Sequence, residues 1–243
     1  MFKWHFNMDI IGLLKTMKSE YLEDSLKKGR LFFNFPLFYD NAALMPAQYD
    51  KYDSWEDVDA YHLIFAPIIK ETDEGSIYGQ IHELAEHADL HVISKSNKKR
   101  PICCFRAIKE NDLIQKGKTY IFSLGNTVDR VKNEFGHDAF VYYMNPFELH
   151  RRLNEKVLFY GHEVFYGKYN SDFWEFMDNT GLECSGMFQK DEKYSWQKEY
   201  RIVLSPRESN IGFPIDIGDI TDIAYGGNIE QLRNGGVAYF EEE

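Results

Sequence analysis

The stretch that decides the fold reads Asp138-Ala139-Phe140-Val141-Tyr142-Tyr143-Met144. Successive side chains of an extended segment point to opposite faces, and here both faces are apolar or aromatic. A strand that is apolar on both faces is typical of the interior of a sheet that is covered on both sides. We therefore predict a sheet with this strand in a central position.

Other segments predict the rest of the sheet and its helices. Strands are expected at residues 2–6, 31–35, 101–105, 119–123, 157–166, 194–204 and 220–225. Helices are expected from Asp9 to Gly29, over residues 76–91, from Asn145-Pro146 onwards and near residues 172–178. A helix first and strands later predict an α+β fold with a mixed, twisted sheet and flanking helices. The sheet is expected either as one piece or split into two sheets around a cleft.

No segment rich in Pro, Gly or Ser divides the chain, so residues 1–243 are predicted to form a single domain. Residues 39–61 combine acidic and aromatic side chains without a clear period. We interpret them as a long loop, the position at which a lid over a site is expected.

Composition limits the partners and the compartment. The 28 Lys and Arg residues against 39 Asp and Glu residues leave a net charge of −11, which disfavours wrapping of nucleic acid or binding to an anionic membrane surface. The longest apolar run, near residues 63–69, is far shorter than the roughly 20 residues of a spanning helix. The first residues show no secretion signal, and three cysteines, an odd number, suit a reducing compartment. We expect a cytoplasmic protein without a membrane partner.

The predicted late strand carries the most chemistry. Alternation within Trp196–Leu204 places Gln197, Glu199 and Arg201 on one face. A carboxylate held rigidly beside an amide suits a ribose hydroxyl or a developing oxocarbenium ion, because its negative charge stabilises that centre. A solvated strand face with surface charges is the competing interpretation.

Short motifs across the chain resemble an uncharacterised bacterial and phage domain family, often found among phage-defence and abortive-infection proteins. These motifs are Lys3-Trp4-His5, Gly29-Arg30-Leu31-Phe32-Phe33-Asn34, Phe38 with Asp40-Asn41, Cys103-Cys104-Phe105 and Glu199-Tyr200-Arg201. Arg106 stands where that family usually has Ser. The resemblance implies a role in phage–host conflict, on either the host or the phage side.

A second resemblance, to the ADP-ribosyltransferase superfamily, implies an activity. In that family a first-strand His, here His5, holds the adenosine-side ribose of NAD, and Arg30 is the other candidate for this position. A late Gln-x-Glu, here Gln197 and Glu199, contacts the acceptor and steers the ribose as nicotinamide leaves. Ser123 would stand for the middle-strand motif, and Arg201 would flank the site. The implied function is an ADP-ribosyltransferase-like enzyme that uses NAD as cofactor, with a protein or a nucleic acid as acceptor.

Two alternatives stay open. One is a non-catalytic sensor or interaction protein of a phage-defence system, with a partner protein. The other is a metal-dependent, nuclease-like effector in which Glu83, His87 and His91, spaced by four on the predicted helix 76–91, hold a divalent cation. An exposed polar helix face explains that stripe more simply, so we assign no metal, and the sequence leaves open whether the chain is an enzyme.

Overall fold

The structure is a computed structural model that describes residues 9–36, 56–65, 68–72, 75–78, 82–92, 95–117, 119–167, 185–209, 211–235 and 237–240. The predicted first strand with His5, residues 39–55 of the predicted lid and the helix near residues 172–178 lie outside these ranges.

The described strands, in chain order, are β1 (Ile10–Met17), β2 (Arg30–Phe33), β3 (Glu56–Phe65), β4 (Ile68–Thr72), β5 (Gly75–Tyr78), β6 (His82–Val92), β7 (Ile102–Lys109), β8 (Leu113–Lys116), β9 (Thr119–Phe122), β10 (Ala139–Tyr143), β11 (Phe159–Glu163), β12 (Phe165–Tyr166), β13 (Gln189–Lys190), β14 (Glu199–Leu204), β15 (Phe213–Asp216), β16 (Ala224–Asn228) and β17 (Val237–Phe240). The described α-helices are α1 (Leu22–Lys27), α2 (Lys95–Lys98), α3 (Thr127–Phe135) and α4 (Pro146–Asn154).

The main sheet has six strands in the order β11-β14-β7-β1-β10-β16, and each neighbouring pair is antiparallel. Strand β10 lies between β1 and β16, and all five of its residues are buried, as its two apolar faces predicted. Among the described strands, the parallel pairing is the short one between β12 and β13. Helices packed around this sheet confirm the α+β class, but the main sheet is antiparallel throughout and not mixed as predicted.

The sheet is covered on both faces, which explains why β10 has no polar side. On one face, the first core joins Leu13 and Tyr143 of the sheet to Leu149 of α4 and to Leu26 of α1. On the opposite face, a second core consists of Leu14, Ile108, Phe122, Leu124, Val128, Val131, Phe140, Tyr142, Ile229 and Leu232, and two of these residues belong to α3.

The prediction of a helix starting at Asp9 is wrong, because residues 10–17 form β1 and the α-helix covers only Leu22–Lys27. Apolar residues at 10, 13, 14 and 17 fit one face of a helix, but they also fit a strand that is buried on both sides. Gly12 allows this segment to lie close against Tyr142 of β10. A Cβ atom there would lie 2.0 Å from the Oη atom of Tyr142, so any larger residue would require the Tyr142 ring to shift.

The helix predicted over residues 76–91 is also wrong. Residues 82–92 form β6, which pairs antiparallel with β3 from Glu56↔Val92 to Phe65↔His82, and β5 pairs with β4. Residues 56–61, predicted as part of the loop, therefore belong to a strand. The partners of β6 on β3 lie 17 to 36 positions away in the sequence, which the spacing of apolar residues within one segment does not reveal. No helix among the described residues has the length and apolarity needed to cross a bilayer.

The sheet opens between its two middle strands. The pairing of β1 with β7 ends at Leu14↔Arg106. Beyond this point β1 follows β10 as far as Met17↔Ala139, whereas β7 follows β14 as far as Ile102↔Val203. A gap therefore separates residues 15–17 of β1 from residues 103–105 of β7, and at its far end Asn34 forms an antiparallel bridge with Ile102 through two backbone hydrogen bonds.

Candidate functional site

A cavity of about 580 Å³ lies at the opening between β1 and β7. Its walls include Met17 and Phe105, which belong to the first core, and Leu14 and Val131, which belong to the second core. The cavity therefore passes from one face of the sheet to the other. The remaining lining residues are Lys15, Thr16, Tyr21, Ser25, Arg30, Phe32, Asn34, Ile102, Cys104, Arg106, Leu124, Phe135, His137, Lys190, Trp196, Gln197, Glu199 and Pro214.

The cavity is cationic although the chain carries a net charge of −11. Four cations, Lys15, Arg30, Arg106 and Lys190, line it together with one carboxylate, Glu199. Lys190 is paired with Glu199, and Arg30 is paired with Asp24 and Asp216 outside the lining. Within the described part of the chain, neither Lys15 nor Arg106 has a carboxylate at ion-pair distance.

Arg106 is held by the end of a short helix. Its Nη1 atom donates to the carbonyl oxygen of Trp196 at 2.7 Å and, less closely, to that of Gln197 at 3.4 Å. Burial lowers the pKa of the Arg106 guanidinium, because the charged form has lost much of its hydration. Its Nε atom is buried and, among the described residues, has no hydrogen-bond partner. An anion at this wall would compensate the Arg106 guanidinium for its lost hydration.

Trp196 is a second wall residue with a buried donor. Among the residues that the structure describes, its Nε1 atom has no acceptor. The indole ring contacts the guanidinium of Arg130, 3.9 Å from the ring centroid, and the ring of Phe135, 5.9 Å away. Buried donors are nearly always hydrogen-bonded in proteins, and both of these donors belong to residues that line the cavity.

Lys15 bridges the opening from the opposite strand. Its Nζ atom donates to the carbonyl oxygen of Cys104 at 3.0 Å and to the Sγ atom of Cys103 at 3.4 Å, and it lies 5.0 Å from the ring centroid of Phe105. Burial raises the pKa of the Cys103 thiol, so this sulfur is not an anionic partner. An ammonium group has three donors, and these contacts use two of them.

Glu199, the central residue of the predicted catalytic face, is 5% exposed. Its Oε2 atom lies 3.0 Å from Nζ of Lys190, and its Oε1 atom lies 2.6 Å from Nε of Arg201. Burial alone would raise the pKa of this carboxyl, but the charges of Arg201 and Lys190 lower it below its ordinary value. Glu199 is therefore a carboxylate whose charge is balanced by two buried cations.

Gln197 and Glu199 do not share a strand, contrary to the alternation predicted from residue 194 onwards. Residues 192–197 form a 3₁₀ helix whose first turn is capped by the Asp191 carboxylate, which accepts from the backbone N–H of Lys193. Lys198 then adopts a left-handed conformation with φ of 46°, and β14 begins only at Glu199. Both Gln197 and Glu199 nevertheless line the cavity.

Of the other predicted site residues, Arg30 lines the cavity, whereas Arg201 and Ser123 do not. Arg30 lines the cavity and donates from Nε and Nη2 to Asp216 at 2.9 and 3.0 Å. Arg201 is fully buried below the lining and donates to the carbonyl oxygen of Met187. Ser123 is not among the lining residues. Its hydroxyl donates to the carbonyl oxygen of Arg233 and accepts from the N–H of Gly125, which is a structural role in a turn.

A Thr–His pair supplies neutral polar groups to the cavity. The Oγ1 atom of Thr16 lies 2.8 Å from Nδ1 of His137, whose ring stacks on Phe135 at 5.5 Å. Burial, with a smaller contribution from Lys15, lowers the pKa of His137 to about 4. The imidazole is therefore neutral at pH 7.

Among the side chains that the structure describes, no three His, Cys, Asp or Glu residues form a metal-binding group. Glu83, His87 and His91 fall on β6 rather than on a helix. Residues spaced by four along a strand lie about 13 Å apart, so the helical stripe on which the metal alternative depended does not form.

Sequence reasoning missed Lys15, Arg106, His137 and Trp196. For two of them the sequence held a signal, since Lys15 and Arg106 each interrupt an otherwise apolar segment. No protein-family model matches the chain, and neither a curated protein nor a solved structure matches it significantly. The site is therefore described by its own geometry. It is a cavity that crosses the sheet, with aromatic walls and two cations, Lys15 and Arg106, that have no carboxylate partner among the described residues.

Proposed function

We propose that the protein binds a small anionic ligand with an aromatic ring, of the nucleotide class, in the cavity between β1 and β7. The observation that carries this proposal is the pair of cations, Lys15 and Arg106, that face the cavity without a carboxylate partner among the described residues. Both residues are half-buried, and a partly desolvated cation is stabilised by an anion or by several acceptors. A phosphate supplies both the charge and the acceptors.

The walls suit a planar ring. Tyr21 and Phe32 line the cavity although 56% and 48% of their surface is exposed, so they lie where the cavity meets solvent. Phe135 and Trp196 line it on the side of the second core. Aromatic side chains stack on bases with little dependence on the base. A volume of about 580 Å³ is within the usual range for binding sites of small organic molecules.

NAD, the cofactor expected from the sequence, satisfies this chemical description. Transfer of ADP-ribose has a further requirement, because the Glu199 carboxylate would have to present its negative charge to the ribose. Its two oxygen atoms already contact Lys190 and Arg201. The geometry therefore supports ligand binding more directly than catalysis. Of the alternatives derived from the sequence, the non-catalytic sensor or interaction protein of a phage-defence system agrees best with this geometry.

Binding is tested by calorimetric titration of the purified protein with AMP, NAD and adenosine. We expect AMP and NAD to bind with micromolar dissociation constants and adenosine to bind at least tenfold more weakly, because it has the ring but no phosphate. Equal binding of AMP and adenosine, or no binding of AMP and NAD, would contradict the proposal. Release of nicotinamide from NAD in the same samples, with and without cell lysate, tests the transferase activity separately.

A further inference from the structure

We propose that the ring of the ligand is an adenine base, which stacks on Phe32 and is recognised at its edge by the carboxamide of Asn34. Both residues line the cavity between β1 and β7. This inference rests on the proposed function and deepens it, because it names the base and assigns the residue that selects it.

Phe32 and Asn34 lie on the same face of one extended segment. Leu31 and Phe33 of β2 are fully buried in the first core, so the alternate residues Phe32 and Asn34 point away from that core. Backbone hydrogen bonds of 3.0 and 2.7 Å join Asn34 to Ile102 of β7. Because directly paired residues of neighbouring strands share a face, the Asn34 side chain lies on the same side as that of Ile102, which also lines the cavity.

The carboxamide of Asn34 and the ring of Phe32 are close together. A Cβ atom on Gly212 would lie within 3.0 Å of both the Oδ1 atom of Asn34 and two carbon atoms at the edge of the Phe32 ring. The missing side chain of Gly212 therefore leaves room for both groups in one corner. Phe32 is 48% exposed, and an aromatic face at the mouth of a cavity is a stacking surface for a base.

The Asn34 carboxamide is available to a ligand. The backbone groups of Asn34 form the bridge to β7, but within the described part of the chain its side chain makes no hydrogen bond. Arg30, the other polar residue on this face of the segment, has its guanidinium engaged by Asp24 and Asp216. Of these two polar side chains, the amide is therefore the one that can contact the edge of a base.

The donor and acceptor of an amide match adenine. A carboxamide presents an N–H donor and an oxygen acceptor side by side. Adenine has its amino donor beside an acceptor nitrogen on either edge, N1 on one and N7 on the other, so an amide can form two hydrogen bonds with both edges. Guanine has two acceptors, O6 and N7, at its N7 edge, and an amide satisfies only one of them. Asn34 therefore favours adenine.

The separation between Asn34 and the cavity cations fits a mononucleotide. Ile102, the bridge partner of Asn34, and Arg106 are four residues apart on the same face of β7, which is about 13 Å along a strand. This separation is comparable with the length of a mononucleotide from the edge of its base to its phosphate. Lys15 contacts the carbonyl oxygen of Cys104, halfway between these two positions. A base held at Asn34 would therefore have its phosphate within reach of both cations.

Calorimetric titration with AMP, GMP and purine riboside 5′-monophosphate tests the assignment. The last probe lacks only the amino group of AMP, so it keeps the stacking surface and the phosphate. The variants are Asn34→Leu, which keeps the size of the side chain without its polar atoms, and Phe32→Leu, which removes the stacking ring. Asn154→Leu is the matched control, because Asn154 is exposed on α4 and does not line the cavity. Melting curves establish that the variants are folded.

We expect the wild type to bind AMP about fivefold more tightly than the probe without the amino group, as the loss of one hydrogen bond predicts. GMP should bind more weakly than AMP. Asn34→Leu should bind AMP and purine riboside 5′-monophosphate equally. Phe32→Leu should weaken both about fivefold and keep their ratio, because stacking does not depend on the amino group. Asn154→Leu should bind like the wild type.

Gly212→Ala provides a second test that leaves the amide in the chain. The added methyl group would displace the Oδ1 atom of Asn34, so the preference for AMP should shrink in this variant as well. A preference that persists in both Asn34→Leu and Gly212→Ala would overturn the assignment.

Three results for the other proteins would also overturn it while AMP binding still supports the proposed function. These are equal binding of AMP and purine riboside 5′-monophosphate to the wild type, binding of GMP as tight as that of AMP, and an unchanged affinity of Phe32→Leu for AMP. If AMP does not bind to the wild type, both the inference and the proposed function fail.

Discussion

The Nζ atom of Lys15 lies 3.0 Å from the carbonyl oxygen of Cys104, across the gap where β1 and β7 no longer pair. A side chain thus supplies a hydrogen bond to the backbone at a place where the ladder has ended. The contact fixes a half-buried ammonium group in the gap between two strands of the sheet. The same opening that interrupts the sheet therefore creates the positive centre of the cavity.

Replacement of Glu199 by Gln should destabilise the protein by about 3 kcal/mol, because Arg201 and Lys190 would keep their charges in a buried site without the carboxylate. Urea unfolding at pH 7 measures this change. Glu163→Gln is the matched control on the neighbouring strand, since Glu163 is paired with Lys109 but is more exposed. A loss of less than 1 kcal/mol in Glu199→Gln would contradict a structural role for this carboxylate.

Acid should remove the stabilisation that Glu199 provides. The pKa of its carboxyl is lowered in the folded protein relative to the ordinary value of 4.5. The unfolded chain therefore takes up a proton at a higher pH than the folded chain does, and the stabilisation is present above pH 4.5 and lost as the pH falls below it. Between pH 5 and pH 3, the free energy of unfolding should decrease more steeply with falling pH for the wild type than for Glu199→Gln.

His150 predicts a second pH dependence at higher pH. Burial lowers the pKa of its imidazole from 6.5 to about 4, and the ring stacks on Tyr200 in the first core. Folding keeps the ring neutral, so stability is complete above pH 6.5 and falls by about 3 kcal/mol as the pH drops to 4. In His150→Gln the loss over this range should be smaller, with His137 contributing in the same direction. An unchanged pH profile in His150→Gln would refute this assignment.

Gly12→Ala should lower the free energy of unfolding by about 1–3 kcal/mol, because the added methyl group would overlap the buried ring of Tyr142. Gly136→Asn serves as the control. Gly136 has φ of 68° and nothing within 4 Å of a Cβ atom, and Asn tolerates this conformation. Thermal melting of the two variants compares them directly, and equal melting temperatures would show that β1 and β10 are not packed as described.

Sequence reasoning found those elements whose pattern has only one structural solution. Strand β10 is apolar on both faces, and the helix from Pro146 begins with an Asn145 side chain that accepts from the N–H of Glu148, as its sequence predicted. Strand β1 was missed because its apolar spacing fits a helix equally well. What decides between the two is contact with Tyr142 and pairing with β7, which lie about 90 to 130 residues away in the chain.

The site was only partly predictable for the same reason. Alternation suggested a functional face around Glu199, but it cannot distinguish solvent or a cavity from a further layer of protein. The segment that ends in Lys190 supplies that layer. Lys15 and Arg106 stand out as single cations in apolar strands, yet only the register of β1 with β7 shows that they meet at one opening.

The most direct measurement of the central claim is the affinity for NAD of the wild type, Arg106→Gln and Lys15→Gln at two salt concentrations, with Lys109→Gln as the control. Lys109 lies on β7 as Arg106 does, but it does not line the cavity. The account predicts that each cavity variant, while still folded, binds at least tenfold more weakly and with a smaller dependence on salt, whereas Lys109→Gln binds like the wild type. Equal affinities in all four proteins would contradict it.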